Sequence, residues 1–212
     1  LFITPGVPDP FSTFVPSFLS LEEISVAVSE GARLGIPTAA HCIGGQGLKD
    51  CIDGGVDVIE HMYMATEQDV DRLASSRCVV DLTSGIFLDP SREEFLSPAN
   101  ALKVRQNRSR VRENVSRIIK ARLPFVLGTD AYHGLLYREV GYAVELGAAP
   151  VTAIQGVTSH AAKVCRLEDR IGKLENGLEA DIIAVKGNPL KDVSRLSQVG
   201  LVMKGGVIYR QP

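Results

Sequence analysis

The 212-residue sequence contains no apolar run of transmembrane length and no basic segment ahead of a cleavable apolar core, so neither a membrane span nor a secretory leader is expected from it. It also lacks a strong charge of either sign. Its 23 basic and 25 acidic side chains leave a formal net charge of −2, which gives no global pull toward nucleic acid or anionic lipid. The four cysteines, Cys42, Cys51, Cys78 and Cys165, form no C-x-x-C pair and fall in or beside predicted strands and helices. Reduced thiols in a cytoplasmic protein are the default for such a pattern. Two glycosylation sequons, at Asn107 and Asn114, lie inside a predicted helix without a secretory context and read as chance. What remains, at 45% hydrophobic and 23% charged, is the composition of an ordinary globular protein, long enough for one large domain or one domain with a small appendage.

The chain is organised around residues 36–61. Two short apolar runs, Ile36-Pro37-Thr38-Ala39-Ala40 and Val56-Asp57-Val58-Ile59-Glu60, each end in a histidine, and between them lie a Gly-rich turn and one amphipathic helical segment. A strand, a helix and a second strand in that space make a βαβ unit, whose right-handed crossover puts His41 and His61 at the same carboxyl-terminal edge of a parallel sheet. Before this unit, Leu1-Phe2-Ile3-Thr4 reads as the end of a strand, residues 5–18 as an ordered loop able to act as lid or substrate wall, and Ser20 with Glu23 as a capping box. Ile24, Ala27, Val28 and Leu34 supply that helix's buried stripe and Gly35 ends it.

After His61 the grammar repeats. Thr66 caps a helix, residues 78–83 read as the next strand, residues 84–98 as a polar loop, and residues 99–121 as a long helix. That helix carries seven basic residues, with Arg122 just beyond it, but no aromatics interleave with them, and the stripe of Leu102, Val104, Val111, Val115 and Ile118 marks a solvated surface helix rather than a nucleic-acid binder. Residues 125–130 form a further strand ending at Asp130, followed by helices over 136–146 and 150–165. Strands alternating with helices, all with chemistry at their carboxyl ends, describe half or more of a (β/α)8 barrel. Beyond Arg170 short strands at 171–174, 181–185 and 199–209, folded at Gly205-Gly206, indicate a small β-domain. The expected division is therefore 1–170 for the partial barrel and 171–212 for the carboxyl-terminal strands of a β-sandwich.

His41, His61 and Asp130 end three different parallel strands, the arrangement a barrel uses to aim ligands at one point. Taken singly, each histidine is equally well a satisfied polar residue at a strand end. Taken together with a carboxylate in the matching position, they form an imidazole and carboxylate set suited to Zn²⁺, which acidifies a bound water and makes hydrolysis the natural reaction class.

The segments Ala39-Ala40-His41-Cys42, Gly55-Val56-Asp57-Val58-Ile59-Glu60-His61 and Gly128-Thr129-Asp130-Ala131 resemble the fifth, sixth and eighth strand ends of the metal-dependent amidohydrolase superfamily, in its imidazolonepropionase-like and prolidase-like branch. The tail is similar too, through Asp169-Arg170-Ile171-Gly172-Lys173-Leu174, Ala180-Asp181-Ile182-Ile183-Ala184-Val185, Gly187-Asn188-Pro189-Leu190 and Val202-Met203-Lys204-Gly205-Gly206. The resemblance implies a divalent metal, most simply zinc, as one or two ions. His41 and His61 would be ligands of the more exposed ion, and Asp130 would contact the other and shuttle the proton. His133, in the loop at the mouth, is either a substrate-binding residue or an exposed bystander, and His160 is a helix-packing residue. Glu60 faces away from the site by strand alternation.

The sequence departs from the superfamily pattern in one respect. Its four histidines form no His-x-His pair, and no fourth-strand lysine is visible, so the chain is expected to be the carboxyl-terminal part of a longer enzyme. The implied activity is metal-dependent hydrolysis of amide or cyclic-amide C–N bonds by a metal-activated water, acting on dipeptides, acyl-amino acids or imidazolone-type rings. No nucleic-acid or membrane partner is expected, and self-association is left open. The alternative is a non-catalytic amidohydrolase-like scaffold, or an inactive fragment of such an enzyme.

Overall fold

Ser20 opens the first helix as its sequence requires: its hydroxyl accepts from the Glu23 amide (3.3 Å) while the Glu23 carboxylate accepts from the Ser20 amide (2.8 Å). Two of the orphan amides at the helix start are thereby satisfied. This helix, α1 (Leu21–Arg33), buries Ile24 completely. Leu34 does not join that face. It sits at the C-cap, past the last regular turn, and is exposed.

The computed structural model describes residues 1–130 and 133–211; Ala131, Tyr132, Pro212 and the side chain of His133 lie outside the described residues. The chain forms two compact units, Leu1–Phe125 and Val126–Pro212.

In the first unit β1 (Ala39–Cys42), α2 (Gly45–Asp53), β2 (Val58–His61), α3 (Glu67–Ala74) and β3 (Val79–Leu82) follow in turn, with β1/β2 and β2/β3 parallel. β1 begins three residues later than its apolar run. Thr38, just before it, donates through its amide and hydroxyl to Asp57 Oδ2 (2.7 and 2.9 Å) and its carbonyl accepts from the Val58 amide (3.0 Å), so a side-chain clamp reinforces the backbone bond at the entrance to the two strands. On the other side of β1, the Ile3 amide donates to the His41 carbonyl (3.0 Å) and the His41 amide to the Leu1 carbonyl (2.9 Å), so the opening residues lie along it.

Residues 84–98 are not the polar loop expected from the sequence. They contain α4 (Gly85–Leu88) and a 3₁₀ segment (Pro90–Phe95), and both Phe87 and Arg92 are fully buried. The polar residues here are spent locally: Asp89 accepts from the Ser91 amide (3.0 Å) and lies 3.7 Å from the Arg92 guanidinium. The long helix α5 (Pro98–Lys120) starts with Ser97 as N-cap and Pro98 in its first turn. Its buried face is Ala101, Val104, Asn107, Val111, Asn114, Val115, Ile118 and Ile119, whereas Leu102 is exposed. Two asparagines thus replace leucine on the inward stripe, because each has a backbone carbonyl to bond: Asn107 Nδ2 donates to Pro8 (3.0 Å) and Asn114 Nδ2 to Tyr63 (2.7 Å). Part of the basic face is held in ion pairs, Arg105 (2.8 Å) and Arg108 both meeting Glu93.

The strand order is completed by β4 (Phe125–Leu127), entered where the Val80 amide donates to the Pro124 carbonyl (3.1 Å). The second unit carries α6 (Leu136–Glu145), α7 (Pro150–Gly156) and α8 (Ser159–Val164). The single helix expected over 150–165 breaks at Val157-Thr158, where Thr158 leaves the helical region (φ −130°, ψ −99°) and its hydroxyl donates to the Ile154 carbonyl (2.8 Å). Residues 171–174 form no strand either. Gly172 adopts φ +94°, a conformation that cannot continue a ladder, and a Cβ built there would stand 2.6 Å from the Ala162 Cβ. The antiparallel sheet that follows, β5 (Ile182–Val185), β6 (Val199–Lys204) and β7 (Val207–Arg210), turns at Gly205-Gly206 with φ of 55° and 80°, the type I′ geometry that such a dipeptide favours. Among the described residues no helix is long and apolar enough to cross a membrane.

Candidate metal centre

His41 is the third residue of β1 and His61 the last of β2. The ladder pairs His41 with Glu60 and Cys42 with His61, so regular alternation would turn the two imidazoles to opposite sides of the sheet. They meet because β2 ends in the left-handed region, with φ of 80° at His61 and 53° at Met62. The rings lie 4.4 Å apart in an edge-to-face arrangement. Left-handed backbone at a non-glycine residue costs about 1–2 kcal/mol, so two such residues in succession are strain that the surrounding packing must hold.

Each imidazole has a wall. Phe2 stacks on His41 at 4.3 Å, nearly coplanar, and Phe18 stacks behind Phe2 at 6.0 Å. His41 Nε2 is buried without a hydrogen-bond partner. His61 is 94% buried, and its Nδ1 lies 2.6 Å from the Thr83 hydroxyl. Burial, and secondarily the neighbouring His41, pushes the His61 pKa down to about 3, so this ring is neutral at physiological pH. A neutral imidazole at His61, beside a His41 ring whose buried Nε2 lacks a partner, is the donor chemistry that a divalent ion such as zinc takes. His41 and His61 therefore fit such an ion. Among the described residues, no group of three or more His, Cys, Asp or Glu side chains is gathered to hold one.

Asp130 belongs to the second unit, three residues past the end of β4, exposed and with φ of 58°. Thus two of the three expected ligands, His61 and Asp130, occupy left-handed backbone at strand ends. The side chain of His133 lies outside the described residues. His160 sits half-buried in the first turn of α8.

Three residues beside the imidazoles went unremarked in the sequence. Phe2 needed the strand-side placement of the amino-terminal residues. Thr83 follows β3 directly and so stands at the same sheet edge as His61, a position the strand pattern does contain. Tyr63, whose hydroxyl reaches Thr83 Oγ1 (2.7 Å) and the Thr83 carbonyl (3.0 Å), lies two residues past His61 in a turn that no periodicity describes. The loop of residues 5–18 forms one wall of a cavity of about 200 Å³ with Ile43 and Met64, and is tied down by the Phe18 amide on Ile3 (2.8 Å) and by Asn107 on Pro8.

Parallel βα units with polar side chains gathered at the carboxyl edge are the architecture of α/β-barrel proteins, whose sites lie at that edge. The chain belongs to the amidohydrolase family, whose model matches residues 16–209. It is 31% identical to ochratoxinase of Aspergillus niger over an alignment covering 93% of this chain and 43% of that protein. It is 30% identical to imidazolonepropionase of Erwinia tasmaniensis over 58% of this chain and 28% of that protein. Among solved structures, a Xaa-Pro dipeptidase with methionine bound in its active site superposes with a TM-score of 0.86 at 32% identity, covering 99% of this chain and 53% of that one. The crystal structure of A. niger ochratoxinase superposes at 0.83 with 28% identity, covering all of this chain and 50% of that one. The chain thus spans 43% of the curated ochratoxinase and about half of these structures. Its parallel strands and helices are part of a (β/α)8 barrel, joined to a separate antiparallel three-stranded sheet.

Proposed function

We propose that the protein hydrolyses amide or cyclic-amide C–N bonds in small substrates, with His41 and His61 holding a divalent cation, zinc for preference, as one ion or one of two. The observation that carries this reading is the pair of imidazoles 4.4 Å apart at one sheet edge, with His41 Nε2 buried and unpartnered. The family generally uses divalent metals, which fits that donor pair. A cation bound there supplies a Lewis acid and lowers the pKa of water enough for attack near neutral pH. Asp130 takes the proton from the attacking water and delivers it to the leaving nitrogen, which would otherwise depart as a poor amide anion. The loop of residues 5–18, with Ile43 and Met64, excludes water from one flank and receives an apolar part of the substrate. N-acyl amino acids and Xaa-Pro dipeptides are the favoured substrates, in keeping with the ochratoxinase and Xaa-Pro dipeptidase relatives; imidazolone rings come next.

Elemental analysis of His41→Ala and His61→Ala should show reduced metal content, and full stoichiometry in both would remove them from the ligand set. Asp130→Asn should lower kcat at least about a hundredfold with KM little changed, since the amide keeps a hydrogen-bond acceptor but cannot carry the proton. Metal content must be measured on the same sample. Near-normal kcat in a metal-replete Asp130→Asn protein would sink the proton-transfer role.

A further inference from the structure

The hydrogen-bond chain behind His61 orders its protons, because Tyr63 Oη lies closer to the Thr83 carbonyl and Thr83 Oγ1 than to His61 Nδ1 (3.4 Å). It ends on the Thr83 carbonyl, which can only accept, so the Tyr63 hydroxyl at 3.0 Å donates to it. With the Tyr63 proton so committed, the 2.7 Å contact between Tyr63 Oη and Thr83 Oγ1 requires the Thr83 hydroxyl to be the donor. Thr83 Oγ1 then has only lone pairs to offer at its 2.6 Å contact with His61 Nδ1, so the ring nitrogen must carry the hydrogen. The opposite polarity, Thr83 donating to Nδ1, would leave Tyr63 Oη donating to Thr83 Oγ1 and two oxygens facing each other at 3.0 Å without a proton between them. All three side chains are at least nine-tenths buried, so water does not scramble the order.

We propose that Thr83, backed by Tyr63, is a tautomer lock: it holds His61 as the Nδ1–H imidazole and so keeps Nε2 as the lone-pair nitrogen available to a divalent cation. An imidazole in the other tautomer presents N–H at Nε2 and must move a proton before it can ligate there. Thr83 is thus a positioning residue that acts through His61, and its two contacts also fix the plane of the ring. The zinc consequence rests on the metal reading given above; the tautomer itself does not.

The test uses the protein labelled with ¹⁵N-histidine, stripped of metal, and read by long-range ¹H–¹⁵N correlation, with the His61 signals assigned by comparison with His61→Asn. The parent should show His61 in the Nδ1–H form. Thr83→Val, which keeps the shape and removes the acceptor, should populate both tautomers and weaken zinc binding about tenfold or more, measured by competition with a chromophoric chelator. Thr83→Ser should restore both properties. Tyr63→Phe frees the Thr83 proton to turn toward Nδ1 and should shift His61 toward the Nε2–H form, which answers the question even where Thr83→Val fails to fold. A parent protein with His61 in the Nε2–H form, or a Thr83→Val protein with parental tautomer and parental zinc affinity, overturns the lock. A parent that shows the Nδ1–H form and binds no zinc upholds the lock and overturns the metal reading.

Discussion

Asn114 offers a direct probe of how the turn after His61 is held. It lies on the buried face of α5, where its amide nitrogen donates to the Tyr63 carbonyl (2.7 Å) and its oxygen accepts from Arg117 (2.7 Å). Asn114→Ala withdraws a donor from a buried carbonyl, which costs about 1–3 kcal/mol. The lost contact to Arg117, which is one-third exposed, adds at most about 1 kcal/mol. A destabilisation of about 2–3 kcal/mol follows, and for a chain of this size it should lower Tm by about 5–10 °C. Asn114→Asp separates the two contacts. Its carboxylate still accepts from Arg117, more strongly than the amide does, but turns an acceptor toward the Tyr63 carbonyl. It should therefore be no more stable than Asn114→Ala despite the added ion pair, whereas Arg117→Ala should cost less than about 1 kcal/mol. Denaturant midpoints and thermal unfolding followed by circular dichroism give all three values. An Asn114→Ala protein within about 0.5 kcal/mol of the parent, or an Asn114→Asp protein clearly above Asn114→Ala, would refute this account of the contact.

Three further outcomes are expected. Iodoacetamide should modify only Cys165 in the folded protein, because Cys42, Cys51 and Cys78 are buried; at pH 9 Cys78 should still resist, since burial raises its thiol pKa, and denaturant should expose all four by intact-mass measurement. Arg122→Gly should stabilise by about 0.5–1 kcal/mol, the left-handed strain at φ 58° after α5 being relieved at some cost in unfolded-chain entropy, and a denaturant midpoint at or below the parent would count against that strain. Gly172→Ala should destabilise by about 2–4 kcal/mol, as its Cβ would stand 2.6 Å from Ala162 Cβ at φ +94°; a parental denaturant midpoint would show that the loop can move aside at no cost.

The elements that read correctly from sequence are those whose signal is local and repeated. The capping box at Ser20, the helix cap at Thr66, the βαβ rhythm through His61 and the Gly205-Gly206 hairpin each rest on residue types with one preferred local geometry, and each appears as expected. The misreadings share a cause. Residues 84–98 look polar, yet Phe87 and Arg92 are fully buried and Asp89 answers the turn's own donors, so polarity there marks internal bonding rather than exposure. Asn107 and Asn114 replace Leu102 on the inward face of α5 for the same reason. A polar side chain costs little to bury when a carbonyl of another segment waits for it, and that carbonyl's position is not written in the helix period.

The candidate site divides along the same line. Which residues end the strands is a matter of chain order, and it singles out His41, His61 and Asp130 without coordinates. Whether two strand-end side chains meet is a matter of phase, and the ladder register by itself would separate His41 from His61. The meeting depends on a left-handed backbone at His61 and Met62, uncommon for any residue but glycine and least suited to Met62, which their neighbours must hold in place. The neighbours in question are bonded to the same turn. Tyr63 anchors its hydroxyl to Thr83, its carbonyl accepts from Asn114, and the Met64 amide donates to the Ile43 carbonyl (2.7 Å), so contacts from β3, α5 and the end of β1 converge on residues 61–64. The residues that turn His61 toward His41 thus include the ones that set its protons. A substitution at Thr83 or Asn114 should therefore be felt at His61, while one at exposed Arg33, at the end of α1 in the same unit, should not. That contrast is open to measurement as the His61 imidazole shift in each variant.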